Sequence, residues 1–143
     1  MLNYFDHEKL DVYQVAIELV VLIETLVEHL PRGRAYIADQ LQRAGISVPL
    51  NIAEGAGEYS SAEKIRFYRM AKRSATECAG ILDICQRLRL IEENQYAKGR
   101  QLLIRLVAML TKMAQGPSFV NVPACVPVPD PKMGMMLSSY PKN

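Results

Sequence analysis

The chain has 143 residues, half of them apolar and 22% charged, with a formal net charge of +2. That balance fits one globular domain with its own core and excludes a disordered chain. Three cysteines without paired spacing argue against a disulfide framework, no apolar run approaches the roughly 18 residues of a membrane span, and so small a net charge implies no partner by itself.

The charge is unevenly spread. Residues 1–59 carry four Lys/Arg (Lys9, Arg32, Arg34, Arg43) against nine Asp/Glu, whereas residues 60–116 carry eleven against five. The opening MLNYFDHEKLDVYQ places acids early and has no apolar core before a cleavage site. That pattern does not suit a signal peptide, and with the cysteine usage it predicts a cytoplasmic location.

Strand signals are nearly absent before residue 116, and four helical segments follow in order. The first runs from about Asp11 to Leu30 and stops at Pro31. Its polar residues Asp11, Gln14, Glu18, Thr25 and Glu28 form one narrow stripe, and nearly everything else is apolar. A helix lying on one core needs an apolar arc of about 100° or somewhat more. The excess predicts a second covered face, hence self-association through residues such as Ile17, Val20 and Val27.

The second segment, about Ala35 to Ala56, contains RAGISVPLNIAEG. Gln40, Arg43, Ser47, Asn51, Glu54 and Glu58 share one helical face, and Ile37, Leu41, Ala44, Val48 and Ile52 share another. Both stripes pass Pro49 in phase, so the helix is expected to kink there rather than break. The third opens with a capping box, Ser60-x-x-Glu63, and continues to about Leu90. Its stripe Phe67, Met70, Ser74, Glu77, Ile81, Ile84, Leu88 is apolar except for Ser74 and Glu77. An unpaired buried carboxylate costs several kcal/mol. Arg43 or Asn51 is the expected partner of Glu77, in an internal polar cluster of Arg43, Ser47, Asn51, Glu54, Ser74 and Glu77. The alternative is an exposed polar stripe. The fourth segment, about Glu92 to Gln115, ends at Gly116-Pro117.

Short connections predict an all-α, antiparallel up-down four-helix bundle over residues 1–116. Residues 117–143 hold six of the eight prolines and no helical or strand period. They read as an extended or disordered tail, either lying on its own bundle or docking on another subunit.

Catalytic signals are missing. The two histidines, His7 and His29, have no ligand-spaced partner, and Gly55-Ala56-Gly57 lacks the strand and the Gly-Lys-Ser/Thr of a phosphate loop. Cys78 and Cys85, two helical turns apart, read as small core residues. The expectation is a protein without catalytic activity, cofactor, metal or small-molecule substrate. Cations do gather on the third and fourth segments: Arg66, Arg69 and Arg73 with Lys72, then Lys98, Arg105 and Lys112. Such stripes bind phosphates through sequence-independent electrostatics, or are ordinary solvated faces.

The run Arg43-Ala44…Ser47…Pro49…Asn51-Ile52-Ala53-Glu54-Gly55 resembles the signature of bacterial four-helix-bundle proteins related to the 23S rRNA intervening-sequence proteins. Leu10-x-Val12-Tyr13-x-x-Ala16, Pro31 and Phe67-x-x-x-Ala71-x-x-Ser74-x-x-Glu77 agree with it. Glu58 stands where many members carry Arg. The resemblance covers about residues 8–115 and implies an antiparallel bundle. It also implies a homo-oligomer, with a homopentamer favoured because some members form one. More distantly, the accessory variability determinants of diversity-generating retroelements are similar, and they bind nucleic acid and a reverse transcriptase. The implied role is a self-associating scaffold for nucleic acid or a nucleic-acid enzyme. The alternative is a protein-interaction oligomer without nucleic acid.

Overall fold

The structure, a computed structural model, describes residues 4–116. A 3₁₀ turn, Asp6–Lys9, leads into four helices: α1 Asp11–Glu28, α2 Ala35–Ala56, α3 Ser61–Arg87 and α4 Glu93–Met113. No strand occurs among the described residues, and the segment 117–143, expected to be an irregular tail, lies outside them. Each helix packs on the next, α4 returns to α1, and the backbones of the diagonal pairs stay apart. The chain therefore closes a four-helix bundle in sequence order, as its short connections require.

The core is built from leucine and isoleucine on α1, α2 and α4, with small residues on α3. Leu19, Ile23, Leu26, Leu41, Ile52, Leu106 and Leu110 are fully buried, each stabilising by about 1.5–3 kcal/mol. On α3 the buried row is Tyr68, Ala71, Ala75, Cys78, Leu82 and Cys85. Alanines there let α2 come close, and the α2–α3 contact is the most extensive in the bundle.

Helix α2 runs unbroken through Pro49, which is buried. Proline has no N–H, so the Gly45 carbonyl lacks its usual intrahelical donor. One turn on, the Asn51 side-chain amide donates to the Ser47 carbonyl at 2.8 Å and to its Oγ at 2.9 Å, tying the turn that contains the proline. Gly45 serves a different need from backbone slack: a Cβ there would stand 2.5 Å from Ile23 Cδ1 of α1. Gly55 does the same for α3, since its Cβ would meet the Tyr68 ring at 2.7 Å.

The helix ends follow from local chemistry. Ser60 Oγ accepts the Glu63 N–H at 3.3 Å and starts α3. Only this half of the expected capping box forms, because the Glu63 carboxylate turns to Arg66 at 2.9 Å. Lys64 Nζ reaches back to the Ala56 carbonyl at 3.1 Å, giving the end of α2 a cation where its carbonyls have no helical donor. Arg89, in the left-handed conformation at φ 57°, stops α3, and Leu90 N–H closes on the Cys85 carbonyl at 2.9 Å.

Two glycines make opposite expectations. Gly80 is exposed, with nothing within 4 Å of an added Cβ, so Gly80→Ala should stabilise by about 0.5–1 kcal/mol through helix propensity. Gly55→Ala gains the same propensity but forces the Tyr68 ring away, and should destabilise by about 1–3 kcal/mol. Chemical denaturation midpoints of the two variants, moving in opposite directions, check the close α2–α3 approach.

Candidate functional site

The signature run on α2 and the matching stripe on α3 meet in a shallow seam. Ser47 Oγ and Ser74 Oγ lie 2.8 Å apart and part-buried, joined by a hydrogen bond, with Asn51 completing the group from the next turn of α2. Their hollow is shared with Met70, Arg73 and Glu77. An adjoining hollow on α2 is lined by Arg43, Ile46, Leu50 and Glu54.

The expected internal cluster is thus divided. Ser47, Asn51 and Ser74 come together, whereas Arg43, Glu54 and Glu77 are exposed. Glu77 makes no hydrogen bond or ion pair among the described residues, and Asn51 gives its amide to Ser47 instead. The reason is phase: the buried row of α3 runs through Ala71, Ala75 and Cys78, one residue round from the stripe that contains Glu77. No polar side chain is fully buried among the described residues.

The basic residues occupy three different settings. Arg66 is committed locally: Glu63 binds it at 2.9 Å, and its guanidinium lies 4.5 Å from the Phe67 ring centre. The hydrogen bond that Arg66 donates to Glu63, then the Glu63 charge, raise the Arg66 pKa. Arg69, Lys72 and Arg73 surround a hollow with Thr76, and none is in an ion pair among the described residues. Lys98 lines a groove between α1 and α4 with Glu18, while Arg105 and Lys112 are exposed on α4.

Apolar exposure is also distributed differently from expectation. Of the α1 residues singled out, Ile17 is 36% exposed, whereas Val20 and Val27 are half-buried. Val21 beside them is 62% exposed. Comparable exposed residues stand on other helices: Ile46 and Leu50 on α2, Ile104 on α4. Ile46 and Leu50 are not among the expected site residues, although their i, i+4 spacing beside Arg43 and Glu54 marks an outward apolar pair.

A further cleft of about 400 Å³ opens between α3 and α4, lined by Thr76, Ala79, Asp83, Tyr96, Ile104 and Val107 among others. At one end the Tyr96 hydroxyl donates to the Asp83 carboxylate at 2.7 Å. That hydrogen bond raises the Tyr96 pKa. Behind the cleft Cys78 is buried, which pushes its pKa up to about 12, and burial raises Cys85 as well. Neither thiol has the thiolate character of a nucleophile. Among the described residues no group of three His, Cys, Asp or Glu could hold a metal ion, and no helix is long and apolar enough to cross a membrane.

The fold and this seam define an all-helical antiparallel bundle whose polar residues lie at its surface and in the α2–α3 crossing. The chain belongs to the 23S rRNA-intervening sequence protein family, whose model matches residues 8–112. Among solved structures it is similar to a protein of unknown function from the S23 ribosomal protein family of Bacteroides thetaiotaomicron. Sequence identity is 24% and the TM-score 0.68, over 73% of this chain and 98% of that one. This likeness is one of fold. No match was found among curated proteins.

The seam makes two stability expectations. Ser74→Ala should cost about 0.5–1.5 kcal/mol, the ordinary worth of one hydrogen bond. Glu77→Ala should stay within about 0.5 kcal/mol of the parent, as an exposed side chain does. Urea unfolding of both variants measures the difference, and a large loss at Glu77 would restore the buried-pair expectation.

Proposed function

We propose that this chain is a non-enzymatic, cytoplasmic, self-associating bundle, assembled as a homopentamer, that serves as an accessory binder of nucleic acid or of a nucleic-acid enzyme. The observation that carries the reading is the segregation of charge. Helices α1 and α2 come from the acidic half of the sequence, α3 and α4 from the basic half, and neighbours in sequence are neighbours in space. The acidic and basic halves therefore fall on opposite sides of the bundle. Arg69, Lys72 and Arg73 crowd one hollow without an acid in its lining.

A trio of cations holds few phosphates. Repeating it around a closed oligomer lets one phosphate backbone touch several copies, and avidity supplies what a single contact lacks. Family membership and the exposed Ile17, Val21, Ile46, Leu50 and Ile104 support assembly. The exposed apolar residues also favour the second reading, an oligomer that binds only protein.

Light scattering should give a mass several times the 16.1 kDa of one chain; a monomer at micromolar concentration rejects the assembly. Retardation of RNA or DNA should be sequence-tolerant and fall steeply as salt rises toward physiological concentration. Changing Arg69, Lys72 and Arg73 to Gln should flatten the salt dependence, each lost phosphate contact removing about 0.7–0.9 from the log–log slope per copy engaged. If the parent protein retards neither nucleic acid at low salt, the protein-only reading replaces this one.

A further inference from the structure

The α3–α4 cleft is the most apolar of the hollows on the bundle. Ala79, Leu82, Leu103 and Val107 line it, and Ile104 on its wall is 58% exposed. Arg100 lies toward the start of α4, without an ion pair among the described residues. The acid at that end, Asp83, already accepts the Tyr96 hydroxyl at 2.7 Å. Along α4 the outward row beside the cleft reads Arg100, Ile104, Ala108, in steps of four and exposed throughout. A cation therefore comes first in the row, and apolar residues follow it.

Helix α1 carries the complementary surface. Its sequence, DVYQVAIELVVLIETLVE, contains no Lys or Arg. The outward row is Ile17, Val21, Glu24 and Glu28, in steps of three and four and exposed throughout. Here the apolar residues come first and the carboxylates follow. Laid antiparallel with Val21 on Ile104, the two rows bring Ile17 to Ala108 and Glu24 to Arg100. The spacings agree, since Ile17 to Glu24 is about 10.5 Å and Arg100 to Ala108 about 12 Å at 1.5 Å per residue. Laid parallel, the same centring sets Ile17 on Arg100 and Glu24 on Val107, which leaves both charges against carbon.

The ridge and the cleft are different surfaces of the same chain. Docking one on the other is head to tail, and it repeats from chain to chain until a ring closes. Direction agrees as well. In an up-down bundle α1 and α4 are antiparallel, and rotation about an axis along the bundle preserves the direction of every helix. The α1 of one copy then runs antiparallel to the α4 of the next, which is the alignment that pairs the charges. The exposed pair on α2, Ile46 and Leu50, has Arg43 before it and Glu54 after it, and nothing on α1 or α4 repeats that pattern in reverse.

We propose that the Ile17–Val21 ridge of one chain seats in the α3–α4 cleft of the next, with Glu24 against Arg100. This docking rests on the self-association proposed above and supplies the two faces it uses. Disulfide trapping tests it in the full-length chain carrying Cys125→Ser, where the remaining thiols, Cys78 and Cys85, are buried. Val21→Cys and Ile104→Cys together should give, under mild oxidation, a ladder of covalently linked chains. Either change alone should give none, because neither face meets its own kind. Val21→Cys with Leu50→Cys, 57% exposed on α2, is the control and should also give none. Glu24→Arg or Arg100→Glu alone should raise the concentration at half-dissociation by about tenfold, and the two together should return it to within about threefold of the parent. All four positions are exposed, so the substitutions spare the core. Light scattering on the parent separates the two readings. An assembly whose Val21→Cys, Ile104→Cys variant forms no ladder, or one that Leu50→Cys links instead, overturns this docking and leaves self-association standing. A double charge variant no tighter than the single ones overturns it too. A monomeric parent overturns both.

Discussion

The close approach of α2 to α3 is the constraint on which the bundle depends. Where Gly55 meets the Tyr68 ring there is no space for a methyl group, and at Ser47 and Ser74 the two helices are near enough for their hydroxyls to bond directly at 2.8 Å. Small residues on both helices make this possible, and the consequences spread outward. The short Gly57–Ser60 connection can turn the chain back only if the helices lie this near, and Lys64 then falls within reach of the carbonyl end of α2. The signature run on α2 is therefore mostly a description of a contact. Its Gly55, serine and asparagine keep α2 close to α3, and its Gly45 keeps α2 close to α1, on either side of a proline that would otherwise weaken the helix.

Much of this was legible in the sequence. Helix number, order and ends follow from Pro31, Ser60, Gly116 and the apolar periods, and the passage of both stripes through Pro49 correctly indicates one continuous helix. The misreadings share a physical cause. On α3 two rows run side by side, one of large residues (Phe67, Met70, Ile81, Ile84) and one of small residues (Ala71, Ala75, Cys78). Reading hydrophobicity by size selects the first. The bundle buries the second, in a row that also holds Tyr68 and Leu82, its small members allowing the close crossing. Glu77 moved from core to surface with that choice.

The overestimate on α1 has a geometric origin. A helix at a corner of a square bundle meets the core and also one neighbour on each side, so its covered arc is wider than that of a helix on a flat surface. Val20 and Val27 are absorbed this way, half-buried, and Gln42 of α2 reaching Glu24 at 3.2 Å shows how closely that flank is approached. The large apolar residues left exposed on α1 are Ile17 and Val21, fewer than its sequence alone implies. The remaining apolar exposure is shared among α2, α3 and α4, which periodicity within any one helix does not reveal.

The cyclic order of packing also bears on how the chain reaches this state. Among the described residues, every contact between the four α-helices except one joins consecutive helices, so most native contacts span short stretches of chain. Folds of this low contact order commonly form in microseconds to milliseconds. The exception is α1 with α4, the first and the last of the described helices. During synthesis at about 5–20 residues per second, α1 and α2 can pair while the flank of α1 that α4 will cover stays open for several seconds. Glu18, beside that flank, lies in the groove where Lys98 of α4 eventually arrives. An acid there keeps the waiting surface wet until its neighbour is translated.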